Sequence, residues 1–582
     1  QRYLEGAVRA VLHDLRTRCP STPLILLSPL AEGADRLVAR VALDEGAQLI
    51  APLPLPRELY EQDFEDESSL LEFRALLSRA TRSFTLDLQE GSSLEDVRAR
   101  GPKRNKQYEA VGAYLVRNCL FLIALWDGRE SDAVGGTAQV LSFQRAGVPA
   151  SYVEAEPDES PLDGADTGIV YQVVTPRVGK PDPVSKFTIK PLVPTRGWGA
   201  GRTEDQIKET FDRIIACIDG FNADAQRVTP VKQQLIVRSS SERLAGSAEQ
   251  FEADFAIADQ LAVHYRNRSN QVLLTLFGLA FLAVLCFSVY AHYTHREWPF
   301  LALNLSIVVV AYVVYIWAGT ISAPFGWLRS ILGSDRAWQL WRRRRDCKTR
   351  YLDYRALAEG MRVQFFWDVV GSRRLVADHY LRKQRGELDW IRAAIRGWTL
   401  LLTEREAATD HSAAASDDIL QLVERDWVQD QRAYFSSRSR NNRRFAERGR
   451  SAVHTLVFIA VLASLGLTWV GSPLPPPGYF GTPENLDETR ELILVPLVLL
   501  SATAALIEGY IEKTAAAEQA KQYERMSLLY AAASDSLSRA RRRNDLAGSV
   551  AVLEELGNEA LAENGDWVML HRARPMEVQF EG

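Results

Sequence analysis

Four apolar stretches constrain what this chain can fold into more than any other feature. Residues 271–291 and 298–319 contain no charged side chain, and about 20 such residues in a helix cross a hydrocarbon core of roughly 30 Å. Further apolar stretches lie at 451–470 and 492–507, and the last of these is the shortest and contains Pro496. The pattern predicts an integral membrane protein with about four transmembrane helices, arranged as two hairpins.

The distribution of Lys and Arg predicts the orientation of these helices. Arginines precede the first stretch at 266 and 268, follow the second at 342–345 and precede the third throughout 438–450. By contrast, residues 484–491, just before the fourth stretch, carry four carboxylates. Because positive charge marks the cytoplasmic side, we expect both termini in the cytosol. We interpret the four arginines at 342–345 as an interfacial anchor rather than a specific lipid or nucleic-acid site.

Bulk composition excludes two classes of function. The formal net charge is −5, from 69 basic and 74 acidic residues, so no global positive field favours nucleic acid as a partner. The five cysteines stand singly, without a CxxC pair or a histidine spacing suited to zinc, so we expect free thiols and no metal site. The first residues already have an amphipathic helical pattern and no signal peptide is visible, so we expect an N-terminally incomplete chain whose soluble part is not exported.

Helical and strand patterns alternate in the N-terminal part. The apolar run at 24–28 is followed by a turn, a helix and a second strand. A helical pattern at 108–118 then leads into the apolar strand 119–126, a Gly-rich loop, a helix and another strand ending near residue 155. This alternation predicts a Rossmann-like α/β domain with a parallel, doubly wound sheet. We interpret 166–202, which is rich in Pro and Gly and has a strand-like pattern at 169–174, as the edge of that sheet and a linker.

Two loops of this domain follow parallel strands and open helices, which is where backbone amides and the helix dipole favour a phosphate. Glycines would let the backbone approach the phosphate, and Thr137 could donate its hydroxyl. Taken alone, the GGT sequence is typical of a tight turn, and an Asp beside Gly is typical of an N-cap or turn. The predicted nucleotide site consists of Gly33, Ala34, Asp35, Asp127, Gly128, Gly135, Gly136 and Thr137.

The segments AEGADRLVARVAL, LPLP with Tyr60 and Asp63 soon after, IALWDG and GGTAQV resemble the SLOG family. These Rossmann-like domains are related to the cytokinin-activating phosphoribohydrolases and to a DNA-processing protein, and they occur at the N-terminus of TRPM channels. The resemblance covers roughly residues 1–175 and implies nucleotide sensing. It also implies that the first strand and its phosphate loop precede residue 1.

The hydrolytic members of that family carry Glu just after the glycine loop, where this chain has Gln139 and Val140. Without a carboxylate there, cleavage of an N-glycosidic bond lacks an acid or base. We therefore expect sensing without catalysis, no catalytic residue and no cofactor other than a nucleotide-derived ligand.

The region after the second apolar stretch has a helical face formed by Tyr351, Tyr354, Leu357, Met361 and Phe365, which predicts packing within a bundle or between subunits. The segment YRALAEGMRVQFFW resembles the SLATT family, two-helix membrane effectors with long cytosolic helices that accompany nucleotide-sensing domains in bacterial defence systems. The resemblance covers roughly 240–540.

Together these patterns divide the chain into a SLOG-like domain (1–175), a linker and helix (176–240), a first hairpin with its cytosolic helices (241–370), a cytosolic helical region (371–450), a second hairpin (451–545) and a C-terminal segment (546–582). The expected function is a homo-oligomeric effector in the bacterial inner membrane that senses a nucleotide-derived small molecule and permeabilises the lipid bilayer in antiviral defence. The alternative is a membrane-anchored nucleotide hydrolase or nucleosidase.

Polar residues within the apolar stretches are candidates for lining a pore, since intramembrane polar groups commonly mark a pathway. They are Asn304, Ser306, Ser501, Thr503 and Glu508. The open alternative is that Asn304 and the hydroxyls only bond neighbouring helices, and that Glu508 lies at the cytosolic interface.

Overall fold

A computed structural model describes residues 2–129, 135–152, 168–176, 186–194, 201–229, 235, 245–292, 298–317, 346–381, 388–402, 416–470 and 483–572. These residues are mostly helical, with a small α/β part at the N-terminus. They form two compact units. The first contains the described residues of 1–229, 242–251 and 374–414, and the second contains those of 230–241, 252–373 and 415–582.

The elements up to residue 225 alternate between strands and helices. The strands are β1 (Ile25–Leu27), β2 (Gln48–Leu53), β3 (Arg82–Thr85), β4 (Phe121–Trp126), β5 (Ile169–Val174) and β6 (Ile189–Leu192). The helices are α1 (Arg2–Arg18), α2 (Ala34–Asp44), α3 (Arg57–Tyr60), α4 (Glu67–Ser78), α5 (Leu94–Arg98), α6 (Pro102–Asn118), α7 (Thr137–Ala146) and α8 (Glu204–Ala225).

The remaining described elements are helical. They are α9 (Ala245–His292), α10 (Trp298–Trp317), α11 (Cys347–Val369), α12 (Val376–His379), α13 (Asp389–Leu402), α14 (Asp417–Val423), α15 (Asp430–Val470), α16 (Pro483–Thr514), α17 (Ala516–Arg542) and α18 (Leu546–Arg572). A π-helical turn, Glu424–Gln429, joins α14 to α15.

The strands form two three-stranded sheets, where the sequence pattern predicts a single one. Strands β1, β2 and β3 pair in parallel in that order, whereas β4 pairs in parallel with β5, and β5 pairs antiparallel with β6. Side chains of β1 and β4, among them Leu26 and Ile123, nevertheless pack around a shared apolar cluster with α1 and α2. Burial therefore brings β1 and β4 onto one core while their backbones pair in different sheets.

Strand β5 has a partner on each side, and β6 forms the edge of this sheet, within the segment 166–202 that was interpreted as a sheet edge and linker. The strand predicted to end near residue 155 is not found in its described part: Ala150–Tyr152 forms a 3-10 turn instead. The amide of Tyr152 donates to the carbonyl of Pro149 across that turn (3.0 Å). Because proline cannot donate to a sheet ladder, a strand is disfavoured there.

Helix α8 belongs to the core of the first unit. Thr203 caps it and forms a reciprocal capping box with Gln206, and Ile207 and Phe211 are buried against Ile169 of β5. The segment 176–240, predicted as a linker with a helix, therefore contributes core side chains. Residues 374–414, grouped in the sequence analysis with the helices up to 450, also pack in this unit, since Arg117 of α6 pairs with Asp378 (2.8 Å).

Four helices are long and apolar enough to cross a membrane, as the hydropathy pattern predicts. They are Gln250–Ala291, Trp298–Tyr315, Asp417–Thr468 and Ile493–Arg542. Helix α9 continues into the first apolar stretch without interruption, and Pro496 lies inside α16 without ending it. The arginines at 342–345 lie outside the described residues.

Helix α11 is buried around nearly its whole circumference. Tyr354, Leu357, Met361 and Phe365 are all buried, which confirms the predicted packing role of this stripe, and Tyr351 meets Trp567 of α18 edge to face (5.8 Å between ring centroids). The other faces are covered too: Phe366 stacks on Trp427 of the π turn (5.0 Å), and the indole of Trp367 donates to Leu553 O of α18 (3.3 Å). A helix buried on all sides is typical of the centre of a bundle.

The closest approach of α18 to α11 depends on Gly557. A Cβ atom at this position would lie 2.4 Å from Nε1 of Trp367, whose side chain is fully buried. We expect Gly557→Ala to lower the free energy of unfolding by about 1–3 kcal/mol, because the buried indole has no room to shift. The measurement is the apparent melting temperature in detergent. Gly466→Ala, where a Cβ has nothing within 4 Å, is the control, and equal melting temperatures for the two variants would contradict the packing described.

Candidate functional site

The loop between β1 and α2 is held in a strained conformation. Leu30 is fully buried with φ +58°, and Gly33 has φ +87°. The guanidinium of Arg36, itself buried, donates from Nε to Leu30 O (3.0 Å) and lies 4.3 Å from the centroid of the Phe64 ring. Positive φ at a bulky residue persists only where surrounding contacts impose it. The start of α2 is therefore preorganised.

Helices α2 and α7 both begin at glycine without a side-chain cap. Gly33 and Gly136 are the respective N-cap residues, whereas Asp66 and Thr203 cap α4 and α8 with their side chains. The first amides of a helix have no intrahelical acceptor. With no cap in place, those of α2 and α7 can bind an anion, and the positive end of the helix dipole favours one.

Gly135 brings the second loop against α6. Its φ is +74°, and a Cβ there would lie 3.0 Å from Cβ of Tyr108. Its amide donates to Oε1 of Gln139 (2.6 Å), so this predicted phosphate contact is already used within the chain. Thr137, exposed at the first position of α7, and the amides that follow Gly136 remain available.

A carboxylate that the sequence analysis missed lies beside this loop. Glu109 of α6 accepts hydrogen bonds from the side-chain amide of Gln139 and from the hydroxyl of Tyr152. Burial, together with this bond to Glu109, raises the pKa of Tyr152, so the tyrosine remains a donor. Glu109 precedes the glycine loop by more than twenty residues, and no local motif marks it. A carboxylate therefore lies next to the side chain of Gln139, although positions 139 and 140 themselves carry none.

A polar network connects the two helix starts. Asp63 accepts from Nη2 of Arg104 (2.8 Å) and from the hydroxyl of Tyr108. The ring of Tyr108 is 6.2 Å from that of Tyr60, and Tyr60 is close enough to Asp35 that, after burial itself, the carboxylate raises the tyrosine pKa. Tyr60 and Tyr108 are in ring contact, and Tyr108 packs against the backbone at Gly135. Tyr60 and Asp63 were singled out in the sequence only through the resemblance, and Arg104 was not.

Asp35 is a partly buried carboxyl in the first turn of α2. It accepts a hydrogen bond from the backbone amide of Ala31, and it is not the N-cap. Burial raises its pKa to about 6, against the lowering effects of that hydrogen bond and of Arg36. A phosphate bound at the same helix start would raise the pKa further, since like charges disfavour ionisation.

Asp127 and Gly128 have a more local role. Asp127 accepts from the amide of Arg129 (3.1 Å), as expected of a turn former. Gly128 has φ +87° and faces β5, where a Cβ would lie 3.7 Å from Nε2 of Gln172. Over the described ranges, Tyr60 and Tyr108 lie between the Gly33–Asp35 loop and the Gly135–Thr137 loop, whereas Asp127 bonds within its own turn. Residues 130–134 of the predicted loop lie outside the described residues.

The polar side chains of the apolar helices bond backbone carbonyls. The amide of Asn304 on α10 donates to Ala283 O of α9 (2.6 Å), which favours the alternative that it bonds a neighbouring helix. The hydroxyls each donate to the carbonyl four residues earlier in the same helix, namely Ser306 to Ala302, Ser501 to Leu497 and Thr503 to Leu499. Glu508 is exposed on α16.

All five cysteines are free thiols, and the part of the chain that the structure describes contains no group of three or more His, Cys, Asp or Glu side chains arranged to hold a metal ion. Comparison with known protein families, with curated proteins and with solved structures finds no match to this chain.

The raised pKa of Asp35 predicts a pH-dependent stability. The folded pKa, about 6, exceeds the ordinary value of 3.8, so the contribution of this group is complete below 3.8 and is lost as the pH rises through about 6. Asp35→Asn should therefore stabilise the ligand-free protein at pH 7.5 by on the order of 1–3 kcal/mol, with little effect at pH 4. Melting curves from pH 4 to 8 measure this. Asp127→Asn is the matched control, and a parallel pH profile for wild type and Asp35→Asn would show that burial does not perturb Asp35.

Proposed function

We propose that the N-terminal unit is a Rossmann-like, SLOG-type sensor that binds the phosphate of a nucleotide-derived ligand at the starts of α2 and α7. The observation that carries the proposal is the pair of glycine-started, uncapped helix N-termini connected by the Tyr60–Tyr108 contact. Two helix starts without side-chain caps leave backbone amides for a ligand, and such amides commonly bind phosphate. The partly exposed hydroxyl of Thr137 adds a donor beside them.

In this proposal, buried side chains hold the scaffold of the site and backbone amides contact the ligand. Arg36 and Arg104 are both buried, and each is engaged with backbone carbonyls or carboxylates of the scaffold. They hold the loops, while backbone amides contact the ligand. Recognition through amides favours the shared phosphate of nucleotides, and selection among bases must come from other side chains.

We further propose that the four apolar helices form a SLATT-like effector in the bacterial inner membrane, with both termini cytosolic, that permeabilises the membrane in antiviral defence. A ligand shifts such an effector only if it has different affinity for two states of the protein. Four helices per protomer are too few to enclose a wide aqueous path, so the effector acts as a homo-oligomer. In that assembly the polar positions on α10 and α16 face a shared axis.

The placement of the ligand is tested at Gly136. Its φ of −76° and ψ of 162° suit any residue, so Gly136→Val blocks the approach of a phosphate without straining the backbone. We expect wild-type protein exposed to cell-extract nucleotides to retain a ligand detectable by mass spectrometry, and Gly136→Val to retain at least about tenfold less. Gly101→Val, at the extended N-cap of α6, is the matched control. Equal retention by both variants would place the ligand elsewhere.

The effector activity is tested by membrane potential. Bacteria expressing the protein should depolarise when the activating signal is present, and Gly136→Val should abolish the response because the sensor stays empty. A potential-sensitive dye reports depolarisation, and cross-linking reports the oligomer. Activated cells that keep their potential, together with a monomeric detergent-solubilised protein, would refute the pore-forming proposal.

Glu109 gives the alternative function a specific basis. A carboxylate beside a phosphate-binding loop is the group that an N-glycosidic hydrolase needs. Its two hydrogen bonds, to Gln139 and Tyr152, instead fit a structural acceptor. We therefore expect no free base from nucleoside monophosphates incubated with purified protein, as measured by chromatography. Release of base that Glu109→Gln abolishes, while ligand retention persists, would establish the anchored hydrolase.

A further inference from the structure

A cavity of about 710 Å³ lies among α9, α15 and α16, within the second unit. Its volume falls in the range of small-molecule sites, roughly 300–1,000 Å³. Its lining includes apolar side chains such as Leu274, Phe277 and Leu506, which lie within the apolar stretches. It also includes Asn441, Arg444 and Arg448, on the part of α15 that precedes its apolar stretch.

Aromatic contacts align the three helices, and one glycine lets two of them touch. Tyr510 of α16 meets Phe277 of α9 edge to face (5.7 Å) and Phe445 of α15 at 6.2 Å. At Gly449, a Cβ would lie 2.3 Å from Cδ1 of Ile511, so α15 and α16 touch there. The cavity is thus a built feature of the helix packing.

Arg444 and Arg448 lie one turn apart on α15, and neither has an ion pair or hydrogen bond within the described part of the chain. Arg443, their neighbour on the same helix, pairs instead with Glu524 of α17 (2.6 Å). Among the described residues that line the cavity, none is a carboxylate. The cavity therefore presents two uncompensated positive charges above an apolar interior.

The position of the cavity along the helices matches the boundary of a bilayer. Leu274 and Phe277 lie just inside the first apolar stretch, which begins near residue 271, and Arg448 lies just before the third, which begins near 451. Leu506 is close to the end of the fourth. Arginines at this boundary lie at the depth of lipid phosphates, and the apolar residues lie at the depth of acyl chains.

From this we infer that the cavity binds an anionic phospholipid, with its phosphate between Arg444 and Arg448 and an acyl chain against Phe277 and Leu506. Leu274 and Phe445 are 55% and 45% exposed, so the site opens sideways, where a lipid enters from the bilayer. The charge complementarity and the apolar depth distinguish a lipid from a soluble anion, which would gain nothing from the apolar end. The inference does not depend on the nucleotide sensor.

The test titrates the purified full chain in neutral detergent with phosphatidylglycerol or with phosphatidylcholine of the same acyl chains and counts retained lipids by native mass spectrometry. We expect wild type to retain phosphatidylglycerol and to hold phosphatidylcholine more weakly. Arg444→Gln/Arg448→Gln should bind phosphatidylglycerol about tenfold or more weakly. Arg440→Gln/Arg450→Gln, which removes the same charge from exposed positions of α15 outside the cavity, should behave as wild type.

A second variant probes the apolar end. Leu274→Trp fills it from an exposed position and should weaken retention of both lipids. The proposal would be overturned if the two double arginine variants lost phosphatidylglycerol equally, or if Leu274→Trp retained lipid as wild type does. It would also be overturned if inorganic phosphate displaced the bound lipid as well as phosphatidylglycerol does. A lipid-free dimer that Leu274→Trp converts to monomer would also overturn it, because a second copy of the chain would then occupy the cavity.

Discussion

Buried charges at the centre of the second unit set the positions of its long helices. Glu359 of α11 accepts from Nη1 of Arg362 (2.7 Å) and lies 3.7 Å from Nη2 of Arg355. Arg355 also reaches Asp259 of α9 (3.4 Å), and Arg362 donates to Gln431 of α15 (3.2 Å). A buried charge without its partner is strongly destabilising. These polar contacts, made outside the apolar stretches, therefore hold α9 and α15 in one register. Apolar side chains alone would not specify that register.

The sequence was most informative where a physical rule acts locally. Hydropathy alone located the four apolar helices, and a helical stripe of large side chains marked α11 as a packing centre. Sheet pairing could not be read in this way. Alternation of strands and helices predicts burial for β1 and β4, but which backbone edge each strand pairs with depends on contacts distant in sequence. The same holds for Asp378, which joins Arg117 and Arg396 in an ion-pair cluster that no local pattern announces.

At the proposed nucleotide site the sequence identified the glycines but not the side chains that hold them. Glycine before a helical pattern is a local signal, and Gly33 and Gly136 do start helices. Arg36, Arg104 and Glu109 act on these loops from helix positions whose spacing resembles any amphipathic surface. Their role is visible only in the folded chain, where their polar groups form hydrogen bonds near the loops. For that reason the sequence around positions 139 and 140, which lacks a carboxylate, gave no sign that Glu109 of α6 lies beside them.

The π turn at Glu424–Gln429 sets the rotation of α15, the helix that carries the third apolar stretch. Its backbone hydrogen bonds span five residues instead of the four of an α-helix, and Trp427 within it is fixed by its stack on Phe366. Each residue of an α-helix advances the side chains by roughly 100°. Conversion of this turn to regular α-helix would therefore rotate every downstream side chain of α15, including the face that meets α16 and the exposed apolar face, relative to α14. The backbone of the wide turn thus fixes the angle of these faces, and a single-residue insertion or deletion there would redirect an apolar surface more than twenty residues away.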